Sequence, residues 1–236
     1  MSGTTTIERL VIAMDGTAGS GKSSASRGVA QALGLRYLDT GAMYRAMTWQ
    51  MLLDGVDVYD ADAVAARADT TAIDAGTDPV VPTITLHGTD VSREIRSGEV
   101  NVAVSPVSAV PHVRELLVAQ QRRIIGSGGI VVEGRDIGTV VAPEAPVKVF
   151  LSAHPAARAQ RRAAELTGSH RHDVDAVEQA LVRRDAYDSS RATAPLTVAD
   201  DAVQIDTTDL RLDEVVARIV ALVRERVDTD AAGMVR

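Results

Sequence analysis

Lysine occurs only twice in this chain, at Lys22 and Lys148, and arginine supplies the rest of its 25 basic side chains. One of the two lysines stands in GTAGSGKS, where Gly16, Gly21, Lys22 and Ser23 satisfy G-x-x-x-x-G-K-[ST] without a mismatch. An apolar run precedes the segment and an alanine-rich one follows, as expected for strand, loop and helix. Glycines let such a loop curl until successive amides point inward, and the helix aims its positive end at the same place. The stretch Gly16, Thr17, Ala18, Gly19, Ser20, Gly21, Lys22, Ser23 and Ser24 is therefore the predicted cradle for a nucleotide's phosphates. Lys22 is expected to be an exposed loop residue reaching the outer phosphates. A hydroxyl of Ser23 or Ser24 can position Mg²⁺ directly or through water.

Further charged residues could serve a second anion. Arg45 lies in a helix after the second strand, and Arg135 and Asp136 follow the apolar strand GIVVE. Both places sit where a doubly wound sheet opens its crevice. Arg184, Asp188 and Arg191 are spaced by four and three, which puts them on one helix face. Such a trio is either an exposed ion-pair ladder or a face with room for an anion. Arg158 and Arg162 are four apart near Arg161, and a like-charge pair at that spacing weakens an isolated helix by a few tenths of a kcal/mol. Either that cost is accepted on a solvated face, or phosphate fills the gap when a lid closes over the site to exclude water. His170 and His172 lack a further ligand at metal spacing and are expected to decorate the lid turn.

These residues need a scaffold. Helices are expected from near Lys22 to a stop at Gly34, over Thr40 to about Asp54, and weakly over 60–69. Residues 70–98 are short, β-prone and rich in turn residues, which predicts an inserted β subdomain. Helical periodicity returns over 99–109 and 111–126, with Pro111 a plausible first-turn residue. GIVVE and VKVFLSA are continuous apolar runs, the mark of strands buried on both faces of a parallel sheet. Helices at 155–166 and 174–191, a last strand in AVQIDTT and an amphipathic final helix complete the alternation. The fold class is α/β, with a core of about 7–69 and 99–227, a lid of about 155–172 and a disordered tail from Asp228 to Arg236.

Composition narrows the function classes. The chain has 236 residues, a net charge of −7 and no cysteine. The negative balance argues against general affinity for nucleic acid or an anionic membrane. Without cysteine there are no disulfides or thiolate metal sites, in keeping with a reducing compartment. No basic-then-apolar leader is seen at the N-terminus, and no apolar run approaches the ~20 residues that span a bilayer. A cytoplasmic monomer without nucleic-acid or membrane partners is the expectation. A GTPase switch would need an N-K-x-D stretch, which the chain lacks because Val147 precedes Lys148. A phosphate-loop kinase for a sugar acid or for uridylate is the nearer alternative.

The stretches DGTAGSGKSS, DTGAMYR, VSREIRSGEV, EGRDIGTVV and RRDAYDSSRATAPL together resemble the bacterial cytidylate kinase family, in consistent order from about residue 8 to 226. The resemblance implies a phosphate-loop fold with a small β-rich insert that binds a nucleoside monophosphate and a short arginine-rich lid. It also implies ATP and Mg²⁺, with CMP and dCMP as acceptors. Several family members carry Gly-Thr where this chain has Ser23 and Ser24, which leaves open which hydroxyl serves the metal. By position, Arg45, Arg135 and Arg191 match contacts to the acceptor phosphate. Ser105, Arg114 and Asp136 match contacts to cytosine, and Arg184 and Asp188 contacts to the sugar. Thr40, in DTGAMYR, is counted with the acceptor site. Lys22, Arg135, Arg191, Arg158 and Arg162 are the implied catalytic cations.

Overall fold

A computed structural model describes residues 7–165, 173–191 and 193–233. The residues 166–172 of the expected lid, with His170 and His172, lie outside that range. The chain enters through β1 (Val11–Gly16), the phosphate segment, α1 (Lys22–Leu33), β2 (Arg36–Asp39) and α2 (Thr40–Leu53). After α3 (Ala61–Ala68) come three short antiparallel strands, β3 (Ile73–Ala75), β4 (Ile84–Leu86) and β5 (Thr89–Asp90), which form a sheet of their own. The core resumes with α4 (Gly98–Ala109), α5 (Pro111–Ile125), β6 (Ile130–Glu133) and β7 (Val147–Ser152). It closes with α6 (Pro155–Glu165), α7 (Val174–Ser190), β8 (Val203–Asp206) and α8 (Leu212–Gly233).

The main sheet has the order β2-β6-β1-β7-β8, and every neighbouring pair is parallel. From β1 the chain first builds outward to β2 and β6, then crosses to the other side for β7 and β8. The order therefore reverses at β1, and a crevice opens beyond the carboxyl ends of the strands there. Side chains of β1 alternate between two cores, as a pleated strand buried on both faces requires. Ile12 and Met14 pack with Val29 of α1 and Ile219 of α8, whereas Ala13 joins the core under α2 and α5.

Local chemistry sets the element ends. The Asp39 side chain accepts from the Ala42 amide at 2.9 Å and starts α2. Gly34 takes the left-handed conformation, φ 66°, and returns its amide to carbonyls of α1. Val110 is extended (φ −67°, ψ 120°) because Pro111 follows it, so α4 and α5 meet at 94° instead of running on as one helix. Among the described residues no single helix is long and apolar enough to cross a membrane. One expectation is corrected: α8 continues through Gly233, past the expected start of a disordered tail at Asp228. Residues 228–232 contain neither glycine nor proline, so the last turns propagate from the amphipathic stretch before them and end at Gly233.

Candidate active site

The crevice beyond β1 is a cleft of about 1160 Å³. Its floor is the phosphate segment. Gly16 (φ 146°) allows the tight exit from β1, since a Cβ there would lie 2.0 Å from the Leu151 carbonyl oxygen of β7. Gly21 caps α1 in a left-handed conformation with no side-chain cap, so the first amides of the helix keep no internal partner. An anion at this end would meet both those amides and the helix dipole.

Lys22 departs from expectation. It is only 7% exposed, and its Nζ donates to the Thr17 carbonyl at 2.6 Å. Burial, with Arg135 nearby, pushes its ammonium well below the usual lysine range. Ser23 and Ser24 are both exposed and line the cleft, and the Ser23 hydroxyl donates to Glu133 Oε1 at 2.7 Å. Glu133 is the last residue of β6, paired in register with Met14 and Asp39 at the carboxyl edge of the sheet. Tyr37 also donates to its Oε1, at 3.0 Å. Its Oε2 is buried without a hydrogen-bond partner, and burial, with the charge of Asp39, raises the carboxyl to about 7.

Across the cleft stand the arginines. Arg45 projects from α2, with its Nη1 donating to Asn101 Oδ1 (2.7 Å) and to the Ile95 carbonyl (3.1 Å). Burial lowers its guanidinium to about 10, with Arg162, Arg96 and Arg135 adding repulsion. Arg184 of α7 is lowered to about 9 by burial and by Arg135 and Arg45, and its Nε has no partner. With Arg135, Arg162 and Ser105 these residues line the same cleft as the loop. Half-buried, mutually repelling guanidiniums are costly unless an anion completes them. This wall is built for one.

Other predicted residues are engaged with protein partners at or near the cleft. Asp188, 1% exposed, is bridged by Arg135 Nε at 3.0 Å and by Arg191, whose guanidinium burial lowers. The trio is thus no exposed ladder, and the Nε atoms of Arg184 and Arg191 are buried without a hydrogen-bond partner. Arg191 follows the last residue of α7, and only Arg184 reaches the cleft. Arg114 and Asp136 form a buried ion pair, with the guanidinium carbon 5.4 Å from the Tyr44 ring centroid. Burial raises the Asp136 carboxyl, against the pull of Arg114. Thr40 donates to the Glu133 carbonyl at 2.7 Å and fixes the start of α2 against β6. Arg158 is buried against Asp185 and the carbonyl of Ala18 in the cleft floor, whereas Arg162 lines the cleft itself.

The sequence pattern of the family described as cytidylate kinase matches residues 12–225. The chain belongs to that family. A Streptomyces avermitilis cytidylate kinase is 53% identical over 223 residues, 94% of this chain and 95% of the relative. One from Streptomyces griseus is 55% identical over 91% of this chain and 92% of the relative. One from Rhodococcus opacus is 53% identical over 92% and 96%. Among solved structures, a gluconokinase from Sinorhizobium meliloti aligns at 15% identity, 96% coverage of each chain and a TM-score of 0.48, too distant to bear on the reaction.

For a member of the cytidylate kinase family, two carboxylates here escaped the sequence reading. Glu133 could have been suspected as the lone charge closing an apolar strand at the carboxyl edge of the sheet. Asp15 could not, because it reads as part of a loop entry. It is buried and accepts from the amides of Ile137 (2.8 Å) and Gly138 (2.7 Å), which sets the turn carrying Arg135 and Asp136.

Proposed function

We propose that this chain transfers the γ-phosphoryl group of ATP to CMP and dCMP, giving ADP and CDP or dCDP, within pyrimidine nucleotide metabolism. One observation carries the reading: Lys22, Arg45, Arg135 and Arg184 converge with an uncapped helix N-terminus on a single cleft. Two phosphorylated molecules need such a wall, because their oxygens repel as they approach. The acceptor's phosphate oxygen attacks the γ-phosphorus, a new P–O bond forms, and the bond to the bridging β-oxygen breaks as ADP leaves. Arginines and Lys22 stabilise the charge spread over the moving group. No general base is required, since the attacking phosphate is already ionised.

Residues for Mg²⁺ are present. Glu133 offers a buried oxygen with no partner beside the hydroxyl of Ser23, and Ser24 faces the cleft, a hard-oxygen set that suits the ion. When bound, Mg²⁺ would neutralise phosphate charge. Behind the wall, Asp136 and Arg114 suit cytosine: an ionised aspartate accepts from the N4 amino group, and a guanidinium donates to O2 and N3. Uracil keeps the O2 acceptor but presents an O4 acceptor and an N3–H donor, which leaves polar groups unpaired at roughly 1–3 kcal/mol each. The protein works as a monomer in the cytoplasm, without nucleic-acid or membrane partners, as its negative charge favours.

A coupled assay of ADP release over CMP, dCMP, UMP, AMP and non-nucleotide acceptors tests the reading. CMP should exceed UMP by at least ~10²-fold in kcat/KM. Asp136→Asn should lower activity on CMP and narrow that preference, since its amide can donate to O4. Turnover of a sugar acid but not of CMP would overturn the assignment.

A further inference from the structure

Both backbone polar groups of Ala18, in the phosphate segment, are held by the two helices packed against it. Its amide donates to Asp185 Oδ1 of α7 at 3.0 Å. Its carbonyl accepts from Arg158 Nη1 of α6 at 2.9 Å. The same Arg158 Nη1 bonds the other oxygen of Asp185, so the two side chains close a ring around one residue of the loop. Ala18 and Arg158 are buried, and the Asp185 side chain is nearly so. Contact is tight next door: a Cβ at Gly19 would lie 3.3 Å from Arg158 Cβ and 3.6 Å from Leu181 of α7. Asp185 also favours the charged form of Lys22.

We propose that Asp185, with Arg158, is a positioning device that couples the docking of α6 and α7 to the phosphate-holding shape of the loop. This rests on the kinase reading and goes beyond it. The argument is one of shared partners. If α6 and α7 move off the loop, an amide and a carbonyl lose their bonds and a buried ion pair is exposed. If the loop refolds, the two side chains lose the groups that orient them. Each ordered state therefore stabilises the other, and such coupling is reciprocal. The consequence concerns water. Arg162, Arg183 and Arg184 line the cleft from α6 and α7, so the clamp sets these cations over the phosphates only while the site is shielded.

The test compares wild type, Asp185→Ala and Asp185→Asn, with ATP hydrolysis measured beside CMP phosphorylation. Wild type must phosphorylate CMP; if it does not, the kinase reading fails and not the clamp alone. Asp185→Ala should lose at least ~30-fold in kcat with KM for CMP within ~3-fold, and should raise the ratio of hydrolysis to transfer by ~10-fold. Asp185→Asn keeps an oxygen for the Ala18 amide but loses the charge and the acceptor that face Arg158. It should recover part of kcat and return the ratio toward wild type, and it remains the decisive variant if the alanine form does not fold. A merely structural pair would lower the melting temperature and leave the hydrolysis ratio unchanged in both variants. That result overturns the proposal.

Discussion

Lys22 is the residue where structure and expectation differ most usefully. As an exposed lysine it could be removed without touching the core; as a buried cation crowded by Arg135 and Arg184 it is costly to the folded state. Its hydrogen-bond acceptor among the described residues, the Thr17 carbonyl, keeps a second donor in the Ser20 hydroxyl at 3.0 Å. Lys22→Met, which keeps the stem and removes the charge, should therefore cut kcat by at least ~10³-fold while the melting temperature holds or rises. Near-normal turnover would remove the loop from the mechanism, and a large fall in melting temperature would show the ammonium to be structural. The loop was legible because its amides, glycines and lysine are consecutive. The acceptor arginines were legible as types and not as layers, because spacing says which residues share a helix and not which of them a sheet edge covers. Hence Arg184 faces the cleft while Asp188, three residues from Arg191, is spent holding it.

At the scale of elements, the pattern located the helices before α8 and the inner strands β6 and β7 within a residue or two, since both cores flank the main sheet and enforce it. The insert was legible only as β-prone. Two features had no local signal. One is the continuation of α8 to Gly233. The other is the turn after β6, where five residues, Ile137–Val141, form a π-helical turn docked on β1 through Asp15. Desolvation raises the Asp15 carboxyl from its usual 3.8 to about 6, against the lowering effect of the Gly138 and Ile137 amides. An acid raised in the folded state adds stability that is full below the unfolded value and is lost as pH rises through the folded one. Asp15 therefore contributes least above pH 6 and on the order of 2 kcal/mol more at pH 4.5. Asn cannot titrate, so the stability gap between wild type and Asp15→Asn should widen by about that amount from pH 7.5 to 4.5 in urea melts. A gap independent of pH would mean that Asp15 ionises as it does in the unfolded chain.

At the scale of the whole molecule, a strap of polar bonds ties the β insert to α1 at the edge of the cleft. Arg27 of α1, one turn beyond the phosphate loop, donates from Nε to the Pro79 carbonyl and from Nη2 to the Val80 carbonyl, both at 2.9 Å. Gln31 adds a bond to Pro79 at 3.1 Å, and the Tyr37 amide of β2 holds the Thr77 carbonyl at 2.9 Å. Val80 and Val81 are each 63% exposed, so polar bonds and not apolar packing hold this loop against α1. Beyond it, β4 and β5 lead to Ile95 and Asn101, which orient Arg45 in the cleft. Arg27→Ala should therefore loosen the insert without unfolding the core. Two charge-assisted bonds in a half-exposed place contribute roughly 1–3 kcal/mol between them. Hydrogen exchange should quicken for amides of residues 76–86, with global unfolding little changed. KM for CMP should rise about threefold to tenfold while kcat stays within ~2-fold, because chemistry still occurs once the acceptor is seated. Arg27 also borders the cleft, so a rise confined to KM for ATP would place it on the donor instead. Unchanged exchange across the insert would show that the strap restrains nothing.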